Sequence, residues 1–196
     1  FEAALLANPE EEKATQGLLA IAADPAHREA AVRVLLAAYA VTDDWLRALE
    51  LTEHRLAASK DDGERVQILG EAARLAEQRA GDLHAALDYV RRAFELAPSD
   101  TDLEGHLFRL TERTDQWRPY AETYRRVLEA LDEPTPHDVP LAARLRVRLG
   151  AALENHLDDA RGALTAYLRA AADAPSDLEA CLAATRLAGQ SHRWEA

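Results

Sequence analysis

The sequence is short of what would cross-link a chain or carry it through a membrane. Its single cysteine, Cys181, excludes an internal disulfide and any metal site built on several cysteines. Lying among Leu178, Ala180, Leu182 and Ala183, it stands where a small buried apolar residue belongs, and core packing is its expected role. Aromatic residues make up 6% of 196 residues against 48% hydrophobic, so alanine and leucine have to fill the core. Glycine and proline number eight each, and many of the prolines fall between apolar-periodic stretches. With Ala, Leu, Arg and Glu dominant, helix is favoured and almost no strand is expected. Charges interrupt every apolar run before the roughly 20 residues that would span a bilayer. Positive charge is also scarce. The formal charge of −12 divides as −7 over residues 1–98 and −5 over 99–196, which leaves no basic tail or domain, and direct nucleic-acid binding is not expected.

What the chain does have is an internal period. Ala86-Leu87, Ala93 and Ala97-Pro98-Ser99-Asp100 recur 77 residues later as Ala163-Leu164, Ala170 and Ala174-Pro175-Ser176-Asp177. Trp117 follows Pro98 by 19 residues and Trp194 follows Pro175 by 19, while Trp45 follows Pro25 by 20 and precedes Trp117 by 72. The larger period therefore holds two units. Apolar periodicity and polar turns predict helices over 10–23, 26–41, 44–58, 62–79, 82–96, 101–114, 116–131, 139–156, 158–173 and 177–189. Paired in order, they form one array over 1–196 with units 1–23 (partial), 26–60, 62–98, 100–134, 138–175 and 176–196 (truncated). Thr101 with Glu104 and Ser176 with Glu179 fit capping boxes, and Asp43, Asp82, Asp138 and Asp158 are placed to open other helices. Asp132–Pro140, with three prolines, cannot propagate a helix and is expected to form the longest loop. The chain starts at Phe1 without an initiator methionine and stops where another helix is expected to begin at Arg193, so a fragment of a longer protein is expected.

The stretch Gly81–Pro98, with small Ala86 and Ala93 at the sites of close helix contact, resembles the second helix of a tetratricopeptide repeat. Leu69-Gly70 and Leu149-Gly150 resemble the Leu-Gly pair of that family's first helix. The 11 residues from Gly70 to Gly81 imply a first helix about one turn longer than usual, an insertion that keeps the same face buried. Trp117, Tyr120, Tyr124 and Leu128 share a helical face similar to that of half-a-tetratricopeptide repeats, which are common in RNA-processing scaffolds; an aromatic core seam is the preferred reading. The resemblance implies an all-α fold, a right-handed α-solenoid of antiparallel helix pairs, whose groove binds another protein or a peptide.

No catalytic pattern competes with this. The seven histidines contain no pair at zinc-protease spacing and read as scattered surface residues, the four serines sit at helix ends, and no glycine-rich phosphate loop occurs. Adjacent acids such as Asp61-Asp62 and Asp158-Asp159 suit helix N-termini. Arg144, Arg146 and Arg148 alternate around a helix, and a solvated face is expected rather than one patch. With no enzyme, cofactor or metal site expected, the expected function is a protein-interaction scaffold; a self-associating or spacer array and an RNA-processing scaffold are the alternatives. If the Leu-Gly pairs mark the buried side, the groove-facing positions are Gln67, Glu71 and Arg74 in one unit and Arg144, Val147, Ala151 and Asn155 in another. Partner identity and localisation stay open, with the cytoplasm favoured.

Overall fold

The structure is a computed structural model that describes residues 1–131 and 138–194, and every regular element among them is helical. In chain order these are α1 (Glu2–Ala7), α2 (Glu12–Ala22), α3 (Arg28–Val41), α4 (Trp45–Glu50), α5 (Thr52–Ala58) and α6 (Asp62–Leu75), which runs directly into a π-helical turn, Ala76–Ala80. Then follow α7 (Leu83–Leu96), α8 (Thr101–Thr114), α9 (Trp117–Ala130), α10 (Val139–His156), α11 (Ala160–Asp173) and α12 (Leu178–Trp194). The predicted segments are all present, with starts that agree to within the uncertainty of helix ends. Three differences are informative. Helix α1 was not anticipated. The segment 44–58 is interrupted where the buried Leu51 donates its N–H to the Ala48 carbonyl, three residues back, at 3.3 Å. Helix α12 continues to Trp194, so Arg193 does not open a new helix. Most of the expected proline-rich loop, 132–137, lies outside the described residues.

Two kinds of turn alternate along the chain. In the first, a residue in the left-handed region ends one helix: Asp43 (φ 57°), Gly81 (68°), Asp115 (56°) and Asp158 (52°). The N–H of the next residue then reaches back to a carbonyl of the last turn, as in Asp44 to Tyr39 at 2.9 Å and Gln116 to Thr111 at 3.3 Å. This is the closure that left-handed residues make possible at helix C-termini, and Asp tolerates the conformation better than most side chains. At three of these turns the following aspartate caps the next helix: Asp44, Asp82 and Asp159 accept from the N–H groups of Arg47, Ala85 and Gly162. Asp82 thus caps as expected, whereas Asp43 and Asp158 do not, because each is taken up in ending the preceding helix.

In the second kind of turn the cap is again an aspartate. Asp61 accepts from Glu64 N–H at 2.8 Å, Asp100 from Asp102 and Leu103 at 2.9 and 3.1 Å, and Asp177 from Glu179 and Ala180 at 3.0 and 3.3 Å. The hydroxyls expected to cap, Thr101 and Ser176, flank these aspartates; Thr101 is already the first helical residue of α8. Asp138 holds the same place before α10 but makes no capping side-chain hydrogen bond.

The chain divides into two compact units, Phe1–Ala97 and Pro98–Ala196. The first has an aliphatic core in which Leu5, Leu18, Ala22, Leu35 and Leu51 surround Tyr39. Its helices α6 and α7 bury Leu69, Ala73, Ala76, Ala86, Val90, Ala93 and Phe94. In the second unit the matching alanines of α11, Ala163 and Ala170, are also fully buried, but Trp117, Tyr120, Tyr124 and Tyr167 join the core. Alanine at these positions brings helices close, and a bulkier side chain would have to displace the facing helix. The two Leu-Gly pairs differ. A Cβ on Gly150 would stand 2.9 Å from the Tyr167 ring, whereas one on Gly70 would meet nothing within 4 Å. Gly150 lies eight residues before the left-handed Asp158; the residue eight before Gly81 is Ala73, which has no exposed surface.

Candidate functional site

The sequence-derived groove residues fare differently in the two units. On α6, Gln67, Glu71 and Arg74 are all exposed. Gln67 and Glu71 line a groove of about 370 Å³ between α3, α5 and α6, with Val32, Leu36, Ile68 and Ala58 among its apolar residues. Its charged rim is balanced: Glu29, Glu64 and Glu71 face Arg33, Arg55 and Lys60, and Arg55 donates to Glu71 at 2.5 Å. On α10, Asn155 is exposed and Ala151 half-buried, but Val147 is 7% exposed and packs inside. Eight positions of α10 are buried, because α9 and α11 both pack on it, so this helix has little open face.

Arg144 is also engaged. Its Nη2 donates to the Pro98 carbonyl at 3.2 Å, and its Nε lies 3.4 Å from Glu104 Oε2, close enough for an ion pair though not aligned as a hydrogen bond. Arg148 Nε approaches the other Glu104 oxygen at 3.7 Å, while Arg146 pairs with Asp173. The three arginines form no single patch, as the helical geometry requires. The expected solvated face is nevertheless corrected, since each guanidinium has a carboxylate partner on another helix.

Glu104, 8% exposed on α8, is the centre of this arrangement. Tyr124 Oη donates to Glu104 Oε1 at 3.1 Å, and Tyr120 Oη donates to Tyr124 Oη at 3.0 Å. Burial is the first cause that pushes both phenols up, Tyr120 to about 12, with the hydrogen bond from Tyr120 and the neighbouring Glu104 charge also acting on Tyr124. The rings continue the network as edge contacts: Trp117 lies 5.7 Å from Tyr120 and 5.8 Å from Phe108. On its other side Trp117 stacks on His156 at 3.4 Å, so this histidine, expected to be scattered on the surface, is a packing partner. The aromatic face of α9 is therefore a seam in the core. It holds α8, α9 and α10 in register and leaves no stripe open to a ligand.

Chemistry for turnover is not assembled here. Among the described residues no group of three His, Cys, Asp or Glu side chains is placed to hold a metal ion, and no helix is long and apolar enough to cross a membrane. Cys181 is half-buried rather than part of the core, with its sulfur 3.8 Å from the Pro175 carbonyl.

A second groove, of about 510 Å³, runs between α9, α10 and α11. Leu128, Leu149 and Leu153 floor it, and Arg125, Arg146, Arg161 and Arg169 stand around it. It was missed because its arginines come from three helices. The legible part of the signal is Arg161-Thr165-Arg169, spaced by four along one face of α11. No protein-family model matches the chain, and comparison with curated proteins finds no significant similarity.

Proposed function

We propose that this chain is a non-catalytic protein-interaction scaffold, a tetratricopeptide-like α-solenoid whose α3–α5–α6 groove binds a segment of a partner protein. The observation that carries the reading is an open groove with an apolar floor and a balanced polar rim, to which Gln67 and Glu71 contribute as the repeat pattern implies. Two further observations support the repeat architecture. Left-handed turns at Asp43, Gly81, Asp115 and Asp158 alternate with aspartates at 61, 100, 138 and 177, spaced by 39, 38 and 39 residues. Helix pairs α6–α7 and α10–α11, which carry the 77-residue repeat, are each closed by fully buried alanines. Units of this kind bury their apolar faces on their neighbours and leave a continuous surface for recognition.

In the groove, Gln67 offers an amide that both donates and accepts, and Glu71 together with Arg55 presents a surface ion pair that a partner can exchange for its own. Affinity capture with the full-length protein, followed by mass spectrometry, identifies the partner. The Gln67→Ala/Glu71→Ala double variant is then compared with wild type by calorimetry. A loss of about tenfold in affinity at unchanged thermal stability is expected. Equal binding by the variant would sink the assignment of this groove.

A further inference from the structure

We propose that the α9–α10–α11 groove is a separate docking surface for an acidic protein segment. The carboxylates of that segment pair with Arg125, Arg161 and Arg169, and an apolar side chain rests on Leu128, Leu149 and Leu153. The inference does not rest on the α3–α5–α6 groove, with which it shares no residue.

The argument is one of uncompensated charge. The groove lining carries four guanidiniums against the carboxylates of Glu129 and Asp159. Asp159 is occupied in capping α11, accepting from Gly162 N–H at 2.8 Å, and Arg146 is paired with Asp173. Arg125, Arg161 and Arg169 are exposed and have no carboxylate within ion-pair distance among the described residues, so they share the single remaining charge of Glu129. This happens in a chain with 35 acidic and 23 basic residues, where random placement would surround arginine with acid.

The repeat supplies an internal control. Seventy-seven residues before Arg161, Thr165 and Arg169 stand His84, Asp88 and Arg92 on α7. There the same face is neutralised within the unit: Arg92 donates to both oxygens of Glu53 at 2.6 and 3.3 Å, and Asp88 accepts from Arg91 at 3.1 Å. On α11 the acid of that face is replaced by Thr165 and the arginines are left open. Arg161 and Arg169, eight residues apart, are about 12 Å apart along the helix axis, a span that an extended segment covers in about four residues. Guanidinium forks match carboxylates bidentately, and the leucine floor beside them gives an apolar anchor a dry seat. A nucleic acid is disfavoured as occupant, because the rest of a chain at −12 repels a long polyanion while a short acidic segment meets mainly the local field.

The test uses the whole chain and a short fluorescein-labelled peptide of alternating glutamate and leucine, with a glutamine-leucine peptide and a single-stranded oligonucleotide as comparison probes. Anisotropy at low and physiological salt gives affinity, and the arginine Nε–Hε signals in NMR give location. The glutamate peptide is expected to bind at least about tenfold more tightly than the glutamine peptide, with the Arg125, Arg161 and Arg169 signals moving together. The Arg161→Glu/Arg169→Glu variant, exposed and checked by its melting curve, is expected to lose that difference, whereas Gln67→Ala/Glu71→Ala keeps it. Equal binding of the two peptides overturns the proposal. So does retention of the preference in the arginine variant, a signal change confined to other arginines, or tighter binding of the oligonucleotide than of the peptide.

Discussion

In the unit Phe1–Ala97 the buried side chains are aliphatic apart from Tyr39 and Phe94, and the ion pairs Glu53–Arg92 and Arg55–Glu71 stay at the surface. In the unit Pro98–Ala196 a carboxylate, two phenols and stacked rings lie inside, tied to arginines of α10. Helices of the same length, closed by alanines at matching positions, are thus held by two kinds of chemistry. Aliphatic packing tolerates exchange of one hydrocarbon for another, while a buried polar network accepts one arrangement only and charges heavily for a missing member. The second unit is therefore expected to be the more specific and the more fragile under point substitution.

The largest effect that would test this contrast comes from Glu104→Ala. It strips the acceptor from Tyr124 and the counter-charge from Arg144 and Arg148, and a loss of about 3 kcal/mol is expected in chemical denaturation. A cost below that of an ordinary surface change would mean that the network holds nothing. Next is an alkaline transition. A phenol raised to about 12 when folded stabilises fully below its unfolded value near 10, and that contribution is lost as pH rises from about 10 towards 12. Melting temperature measured across that interval should fall, by on the order of 2 kcal/mol in stability, and Tyr120→Phe should flatten the decline.

The two Leu-Gly pairs sharpen the comparison further. Gly150→Ala pushes a methyl group into the Tyr167 ring and is expected to cost about 1–2 kcal/mol. Gly70→Ala meets open space in a helix and is expected to stabilise by up to about 1 kcal/mol. Effects of the same sign in urea titrations would erase the distinction. The smallest effect belongs to the surface of the first unit. The Arg92 hydrogen bond holds the Glu53 carboxyl below its usual value, so its contribution is present above the unfolded value and disappears as pH falls through the folded one. Glu53→Gln is expected to cost about 0.5 kcal/mol at neutral pH and nothing in acid.

Helix periods and small-residue contacts were legible in the sequence because they depend on local spacing: α8 and α10 have the predicted limits, and Ala86, Ala93, Ala163 and Ala170 are all buried. The caps were legible as aspartates but not as particular ones. In Asp43-Asp44 and Asp158-Asp159 the neighbours are chemically identical, and the end of the preceding helix decides which of them turns left-handed. The pairing of Arg144 and Arg148 was hidden because its partner Glu104 is 40 and 44 residues away on another helix. Val147 was misplaced because an open face was inferred from one helix, while the helices on both sides of α10 cover it. The half-buried Cys181 shows the same limit: an alanine-rich neighbourhood does not say which face turns inward.

The alternating turns have a consequence for how such a chain changes length over time. Counting from Asp61, Asp100 and Asp138, the left-handed residue comes after 20, 15 and 20 residues, and the next aspartate follows after a further 19, 23 and 19. The middle unit has lost more than a helical turn from its first helix and regained nearly the same length in its second half. The π-helical turn at Ala76–Ala80 belongs to a unit of standard length, so the longer first helix is shared with α10 and is not an insertion peculiar to Gly70. Gains and losses of residues thus occur as offsetting pairs between successive aspartates, and an unmatched insertion would be felt at every later unit.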